Sequence, residues 1–181
     1  MAYLSLEEEF EKVQRNMANF GVDLGKAQES GNLMFIKTDP YHIREYLEKG
    51  TQPMLDDIMH FKPHRIIFDS LSGFAVQYET ESQVRSNLGR LIYLMQKWRE
   101  QDETPTVLFT VDATEQYYTN VEEFLVDGVI KLKKIQSGKE VSKVLQITKM
   151  RGTDFKTEMA MYRIVDGKGI VLEPEAPILG L

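Results

Sequence analysis

The chain has 181 residues, of which 42% are hydrophobic and 28% are charged, with a formal net charge of -6 and no cysteine. This composition is typical of one globular domain and excludes a disordered chain, while the lack of cysteine excludes disulfides, thiolate metal sites and cysteine nucleophiles. The acidic balance disfavours broad nucleic-acid binding, and no apolar run is long enough to span a membrane. No secretory signal is visible, so we expect a cytoplasmic protein.

The chain opens with a short apolar stretch, Ala2–Leu6, that predicts a buried strand. Three acids follow, Glu7, Glu8 and Glu9, and then apolar residues at helical spacing from Phe10 to Phe20. Acids at a helix N-terminus are favoured by the helix dipole, and this is the simpler interpretation. The alternative is that a carboxylate at the end of a parallel strand orients an attacking water as a general base.

The next hundred residues alternate between strand and helix signals. The pattern predicts a turn-rich connection at 23–31 and a strand at 33–36. A polar helix or loop is predicted at 41–50, and a second helix at 53–60. A long helix is predicted over 81–100, with Trp98 in its apolar stripe, and a buried strand over 106–110. Such alternation predicts right-handed βαβ units and a parallel sheet.

The segment Arg65–Ser72 predicts a strand buried on both faces, ending in Asp69 and Ser70, before Gly73 breaks the chain. Ligands of open α/β sheets bind outside the carboxyl ends of the strands, where Asp69 would lie. A carboxylate there can hold Mg2+ directly or through water. The equally weighted alternative is an Asp that caps the next turn through its own backbone.

The character of the sequence changes near residue 121. We predict one domain, 1–181, with a parallel core at 1–120, a β-rich antiparallel extension at 121–172 and a tail at 173–181. Strands are predicted at 128–132, 141–149, 159–165 and 169–172. The extension carries a basic strip that is either a solvated sheet face or, less favoured, a nucleic-acid surface: Lys131, Lys133, Lys134, Lys139, Lys143 and Lys149.

Five motifs in this order resemble the KaiC-like branch of the RecA superfamily of ATPases. The most specific is Lys149-Met150-Arg151-Gly152-Thr153, which is close to the family's lysine-apolar-arginine-glycine-threonine signature. The others are the stretches at 3–8, 16–33, 65–72 and 121–130. The resemblance implies an α/β fold, a RecA-like mostly parallel sheet with flanking helices and a C-terminal antiparallel β extension.

The resemblance also implies site residues, with ATP and Mg2+ as ligands. Glu7 and Glu8 would activate water, and Asp69, with Ser70 beside it, would organise Mg2+. In ring-shaped relatives a second set reaches the nucleotide of the neighbouring subunit, which here corresponds to Lys149, Met150, Arg151, Thr153 and Asp166. The implied partners are further copies of the chain, which in the full-length form would make a hexameric ring, together with protein regulators. Neither nucleic acid nor a membrane is implied.

The chemistry of this second set fits its implied role. Lys149 and Arg151 are two residues apart on one strand, so they point to the same side and can meet phosphate charge. Gly152 allows close backbone approach, and Asp166 in a turn can accept hydrogen bonds from base or ribose groups. Phe155 stands where the family often has histidine.

The printed sequence contains no Gly-x-x-x-x-Gly-Lys-Ser/Thr stretch, the loop that grips phosphates in this superfamily. We therefore expect the family's first strand and its phosphate loop to be missing, although that strand belongs inside the parallel sheet. The chain alone is not expected to bind ATP tightly. It is either part of a longer ATPase, which the retained acids favour, or a non-catalytic regulatory paralogue. A RecA-like nucleic-acid-binding protein is the third alternative.

Overall fold

The structure is a computed structural model that describes residues 1–49, 53–96, 105–112 and 121–178. The chain divides into two units, one of Met1–Ala18 with Asp23–Glu122 and one of Asn19–Val22 with Glu123–Leu181. A parallel sheet in the first unit and an antiparallel sheet in the second confirm the predicted α/β class. The finer domain boundaries stay a prediction.

The first unit is built on four strands, β1 (Ala2–Ser5), β2 (Met34–Lys37), β3 (Arg65–Asp69) and β4 (Thr106–Phe109). They pair in parallel in the order β2-β1-β3-β4, so β1 and β3 are the central strands. The helices are α1 (Phe10–Ala18), α2 (Leu24–Glu29), α3 (Pro40–Lys49), α4 (Pro53–Phe61), α5 (Leu71–Ala75), α6 (Glu81–Gln96) and α7 (Val121–Leu125), the last spanning the border between the units.

The core of the first unit forms on the two central strands. Leu4 on β1 and Ile66 and Phe68 on β3 are all 0% exposed, as expected for strands covered on both faces. Helical residues complete the core, each at most 2% exposed: Ile43, Leu47, Ile58, Phe74, Leu88 and Leu91. Burial of this apolar surface supplies most of the free energy that holds the sheet.

Three helices were not predicted: α2, α5 and α7, the last at the start of the predicted β-rich extension. The connection 23–31 contains α2, which begins where the Asp23 carboxylate accepts a hydrogen bond from the Lys26 backbone N–H at 3.0 Å. The predicted break at Gly73 is wrong, because Gly73 lies inside α5. Five residues cannot display helical periodicity, so α5 left no signal in the sequence. Residues 97–100, including Trp98 of the predicted apolar stripe, lie outside the described ranges.

The prediction that the strand over 106–110 is buried is wrong for one of its faces. Leu108 is 47% exposed. The reason is its place in the sheet, since within the described ranges β4 pairs only with β3 and is an edge strand. No helix in the described part of the chain is both long and apolar enough to cross a membrane.

The second unit is a four-stranded antiparallel sheet, β5 (Gly128–Ser137), β6 (Glu140–Met150), β7 (Ala160–Val165) and β8 (Gly169–Glu173), paired in sequence order. Its register divides the predicted basic strip. Lys134 pairs with Lys143 on one face, whereas Lys131 and Lys133 alternate onto the other. The lysines therefore do not form one continuous cationic surface.

We predict that Leu4→Ala destabilises the chain by roughly 2–5 kcal/mol, because it removes buried methyl groups and leaves a cavity in the central strand. Leu108→Ala makes the same chemical change on the exposed face of β4 and should cost about 1 kcal/mol or less. Urea unfolding of both variants measures the difference. Equal losses would contradict the assignment of β1 as the core strand.

A second prediction concerns Tyr78, whose hydroxyl is buried and has no hydrogen-bond partner among the described residues. Burial raises the pKa of Tyr78 to about 12, against the opposing effect of the nearby Arg44 guanidinium and with a further rise from Glu48. The Arg44 guanidinium carbon, Cζ, lies over the Tyr78 ring, 5.5 Å from the ring centroid. Tyr78→Phe keeps this ring and removes the unpaired hydroxyl, so we expect stability at pH 7 to be unchanged or raised by about 1 kcal/mol.

The same group predicts a pH effect. Above the ordinary tyrosine pKa of 10.0 the unfolded chain loses this proton while the folded chain keeps it until about pH 12. The folded state therefore loses stability as pH rises through that window. Urea unfolding at pH 7 and pH 11 should show the advantage of Tyr78→Phe over the native chain growing with pH, and an advantage that shrinks would refute the assignment.

Candidate functional site

The carboxyl ends of β1 and β3 meet at one edge of the parallel sheet. Ser5, the last residue of β1, pairs with Asp69, the last residue of β3. Just beyond the strands, the Leu6 backbone N–H donates to the Asp69 carbonyl oxygen at 2.7 Å. The loop that carries Glu7 and Glu8 therefore leaves the sheet beside Asp69, as the sequence predicted for a shared site.

The Asp69 carboxylate is held from both neighbouring strands. The Tyr3 hydroxyl on β1 donates to Oδ2. The Thr110 hydroxyl, directly after β4, donates to Oδ1 at 2.6 Å. Each carboxylate oxygen thus accepts one hydroxyl hydrogen bond, and the predicted alternative of a simple backbone cap does not describe these contacts.

Aromatic packing fixes the Tyr3 ring. It stacks on Phe35 of β2 with 5.4 Å between ring centroids and 12° between planes, and Phe10 meets Phe35 edge-on at 5.1 Å. Burial is the largest cause that raises the pKa of Tyr3 above its ordinary value. The hydrogen bond to Asp69 and the negative charge of Asp69 raise it further. The phenol therefore stays protonated at neutral pH and acts as the donor.

Glu7 lies against the residue that follows Asp69. The Ser70 hydroxyl donates to Glu7 Oε1 at 2.8 Å, and the Glu7 side chain is exposed to solvent. Ser70 is also the residue immediately before α5, and the Asp69–Ser70 peptide bond is cis. This contact joins two loops that are 63 residues apart in the sequence.

Glu8 has a different environment. Its carboxylate forms an ion pair with Lys12 of α1, one turn away, at 2.6 Å. The backbone of Glu8 is hydrogen-bonded to Ser5, which is 1% exposed. The Ser5 hydroxyl donates to the Glu8 carbonyl oxygen at 2.5 Å and accepts from the Glu8 N–H at 2.9 Å. Glu8 therefore fits the simpler interpretation of an acid at the N-terminal end of a helix, while Glu7 accepts a hydrogen bond from Ser70.

The donor set suits a hard cation. Carboxylate and hydroxyl oxygens meet at this edge, and Mg2+ in nucleotide enzymes is held by one or two carboxylates together with waters and substrate phosphates. No group of three or more histidine or acidic side chains within the described ranges could form a complete protein cage for a metal. The geometry thus fits Mg2+ that arrives with a phosphate ligand.

The cationic residues of the second unit are tied to the end of α7. Lys149 Nζ donates to the carbonyl oxygens of Glu123 at 2.6 Å and Phe124 at 3.4 Å, and Arg151 Nη2 donates to Phe124 at 3.1 Å. Arg151 also lies 3.6 Å from Asp127, in a pair with both side chains more than half exposed. Such an exposed pair contributes little to stability, so Arg151 is free to exchange partners at small cost.

The remaining predicted residues of this set do not all lie together. Met150 ends β6 and Thr153 is exposed in the turn after it. Asp166 follows β7, which runs antiparallel to β6, so it lies toward the start of β6 rather than its end. The described contacts therefore group Lys149 with Arg151 and do not bring Asp166 to them.

Sequence reasoning missed three hydroxyls at this site, those of Tyr3, Ser5 and Thr110. Tyr3 and Ser5 were assigned only to a buried strand, and Thr110 only to a strand end. One signal was available: a hydroxyl at the carboxyl end of a parallel strand lies at the ligand-binding edge, which points to Ser5 and Thr110. Tyr3 could not be found this way, because its contact depends on the register between strands.

Comparison with known proteins identifies similar chains. The family model described as "ATPase: KaiC" matches residues 1–176. A circadian clock protein KaiC3 from Synechocystis sp. is 25% identical over 194 aligned residues, covering 97% of this chain and 36% of that protein. A circadian clock oscillator protein KaiC from Synechococcus elongatus is 26% identical over 174 residues, covering 91% of this chain and 33% of that protein.

Among solved structures, the crystal structure of a KaiC-like protein from Pyrococcus horikoshii OT3 matches with a TM-score of 0.74 and 25% sequence identity, covering 96% of this chain and 74% of that one. The chain therefore spans about a third of the length of these curated relatives and about three quarters of the solved structure.

Proposed function

Because this chain belongs to the KaiC family of ATPases, we propose that it forms the part of an ATPase site that positions the attacking water and the magnesium. The family match confirms the resemblance predicted from the five motifs. The observation that carries the proposal is the shared edge of the sheet, where the hydroxyl of Ser70, the residue after Asp69, donates to the Glu7 carboxylate. Hydrolysis itself belongs to the complete protein, in the cytoplasm.

Glu7 is the proposed general base. Its carboxylate is exposed, so water can reach it, and the bond from Ser70 fixes one of its oxygens beside the Asp69 loop. A carboxylate in that position can orient a water and accept its proton as the water attacks a phosphoryl group. Glu8 was predicted for the same role, but its pair with Lys12 supports a structural one.

Asp69 is the proposed magnesium-binding acid, with Ser70 next to it. Bound Mg2+ would neutralise phosphate charge as it develops on the leaving group. The chain's own contribution is to hold the Asp69 oxygens in place through the hydroxyls of Tyr3 and Thr110.

ATP hydrolysis also needs a phosphate grip, and these 181 residues contain no Gly-x-x-x-x-Gly-Lys-Ser/Thr motif. For the ATPase we propose that the grip is supplied from outside them. We propose that the strand preceding that loop pairs with the open side of β4. In the described sheet β4 pairs on one side only, and Leu108 on its face is 47% exposed. A further parallel strand and its helix would cover both.

We also propose that Lys149 and Arg151, with Met150 and Thr153 beside them, act on the nucleotide of a neighbouring copy. Asp166 remains a prediction for the same contact. The exposed position of Arg151 and its weak pair with Asp127 support this, because a side chain held by surface contacts can be redirected. A homo-oligomer follows from this proposal, and a ring of six is the arrangement that the resemblance implies.

A non-catalytic regulatory protein of the same fold is the second candidate. It is favoured by one observation, the lack of the phosphate loop in the printed sequence. The reading frame on the N-terminal side of Met1 separates the two. A strand and loop motif encoded there supports the ATPase, and an in-frame stop codon with no such motif supports the regulatory protein.

We predict that Glu7→Gln in the complete protein lowers Mg2+-dependent ATP hydrolysis by about 10²–10⁴-fold, since the amide cannot accept a proton. Glu8→Gln is the matched control and should lower it by less than about tenfold, because its contacts are with Lys12 and Ser5. Phosphate release at saturating ATP measures both, and binding of a fluorescent ATP analogue should be similar in the two variants. A larger loss in Glu8→Gln would reverse the assignment.

A mixing experiment tests whether the cations act on a neighbouring copy. Glu7→Gln subunits keep Arg151 but lack the proposed base, and Arg151→Ala subunits keep that base but lack the Arg151 guanidinium. If the site is shared between copies, mixing the two inactive variants should restore part of the ATPase activity. If each copy carries a whole site, the mixture should be no more active than its components.

A further inference from the structure

We propose that Tyr3 and Thr110 are positioning residues that lock the orientation of the Asp69 carboxylate from two neighbouring strands. This inference rests on the proposed function, because it assigns a purpose to the geometry of the magnesium-binding acid. Neither residue belongs to the set implied by the family resemblance.

The strand order makes this arrangement available. β3 lies between β1 and β4, so a side chain at its end can be reached from both sides. Tyr3 pairs with Ile67, two residues before Asp69, so the Tyr3 and Asp69 side chains lie on the same face of the sheet. This diagonal spacing is within the reach of an aromatic side chain. Thr110 approaches from the other side, at 2.6 Å.

The two hydroxyls remove a freedom that Asp69 would otherwise have. The terminal torsion of an aspartate is soft, so an unsupported carboxylate rotates through a broad range. Hydroxyl donors on opposite oxygens fix the plane of the group. A carboxylate offers about four lone-pair sites, so one on each oxygen remains for a metal or a metal-bound water.

The rest of the Tyr3 environment would stay intact without its hydroxyl. Its ring stacks on Phe35, and a phenylalanine at position 3 would keep that packing. The hydroxyl adds only the contact with Asp69. Removing it therefore separates the orientation of Asp69 from the packing of β1.

The test uses three substitutions and one control. Tyr3→Phe and Thr110→Val each remove one hydroxyl, and Thr110→Ser retains it. Tyr78→Phe is the control, since it makes the same chemical change at a buried tyrosine whose hydroxyl has no partner among the described residues. All four chains are first compared by circular dichroism at neutral pH.

The first readout needs neither nucleotide nor metal. In the 181-residue chain, the carboxyl carbon resonance of Asp69 at pH 7 should move in Tyr3→Phe and in Thr110→Val. It should stay in place in Thr110→Ser and Tyr78→Phe. An unmoved resonance in both Tyr3→Phe and Thr110→Val would overturn the inference, whatever the protein's activity.

The second readout is the Mg2+ concentration for half-maximal ATP hydrolysis by the complete protein. We expect it to rise about tenfold in Tyr3→Phe, the scale of one hydrogen bond to a charged group, with a smaller change in the maximal rate. Tyr78→Phe should leave it unchanged, and Thr110→Ser, which retains the hydroxyl, should raise it less than Thr110→Val does. If Tyr3→Phe instead lowers the maximal rate about tenfold and leaves the Mg2+ requirement unchanged, Tyr3 has a structural role. If the native complete protein hydrolyses no ATP, the proposed function fails, while the carboxyl resonance still decides the orientation of Asp69.

Discussion

The parallel pairing of β1 with β3, with Ser5 opposite Asp69, is the constraint on which the site depends. Because both strands run the same way, each delivers its following loop to the same edge of the sheet. A slip of one residue would turn every side chain of β1 to the opposite face. Tyr3 would then point away from Asp69, and Leu4 would leave the core. The register that buries the apolar residues is therefore the same one that assembles the acidic site.

The core makes that register costly to change. Leu4 and Phe68 are 0% exposed and pair directly in the ladder, so they hold the two strands at the point just before the site. The polar contacts follow at the ends of the strands, where Leu6 and Thr110 extend the backbone hydrogen bonding to Asp69 and Phe68. Apolar burial supplies the free energy, and the hydrogen bonds decide which side chains face one another. Loss of Leu4 would accordingly loosen the site as well as the fold.

The sequence was sufficient for the parts of the site that depend on strand direction. A strand followed by acids, and a second strand ending in Asp69, are visible without coordinates, and parallel pairing brings them to one edge. It was not sufficient for contacts that depend on register. The diagonal contact from Tyr3 to Asp69 follows from which residue of β1 stands opposite which residue of β3. The contact of Glu7 with Ser70 joins residues 63 positions apart and left no signal in the sequence. Short elements were missed for a related reason, since five residues in α5 are too few to show a period.

The two units hold their functional residues with different stiffness, and this difference has a consequence for how a shared site would work. Asp69 accepts hydrogen bonds from a hydroxyl on β1 and from another directly after β4, whereas Lys149 and Arg151 reach neutral carbonyls at the end of α7 with long side chains. In the hydrogen bonds to these carbonyls only the donor carries a charge, whereas a cation and a phosphate oxygen carry opposite full charges and attract each other more strongly. A triphosphate presented by a neighbouring copy would therefore compete well with the carbonyls for both cations. The acids need no rearrangement to meet a nucleotide, so the cations are the part of the proposed site whose contacts would change on assembly.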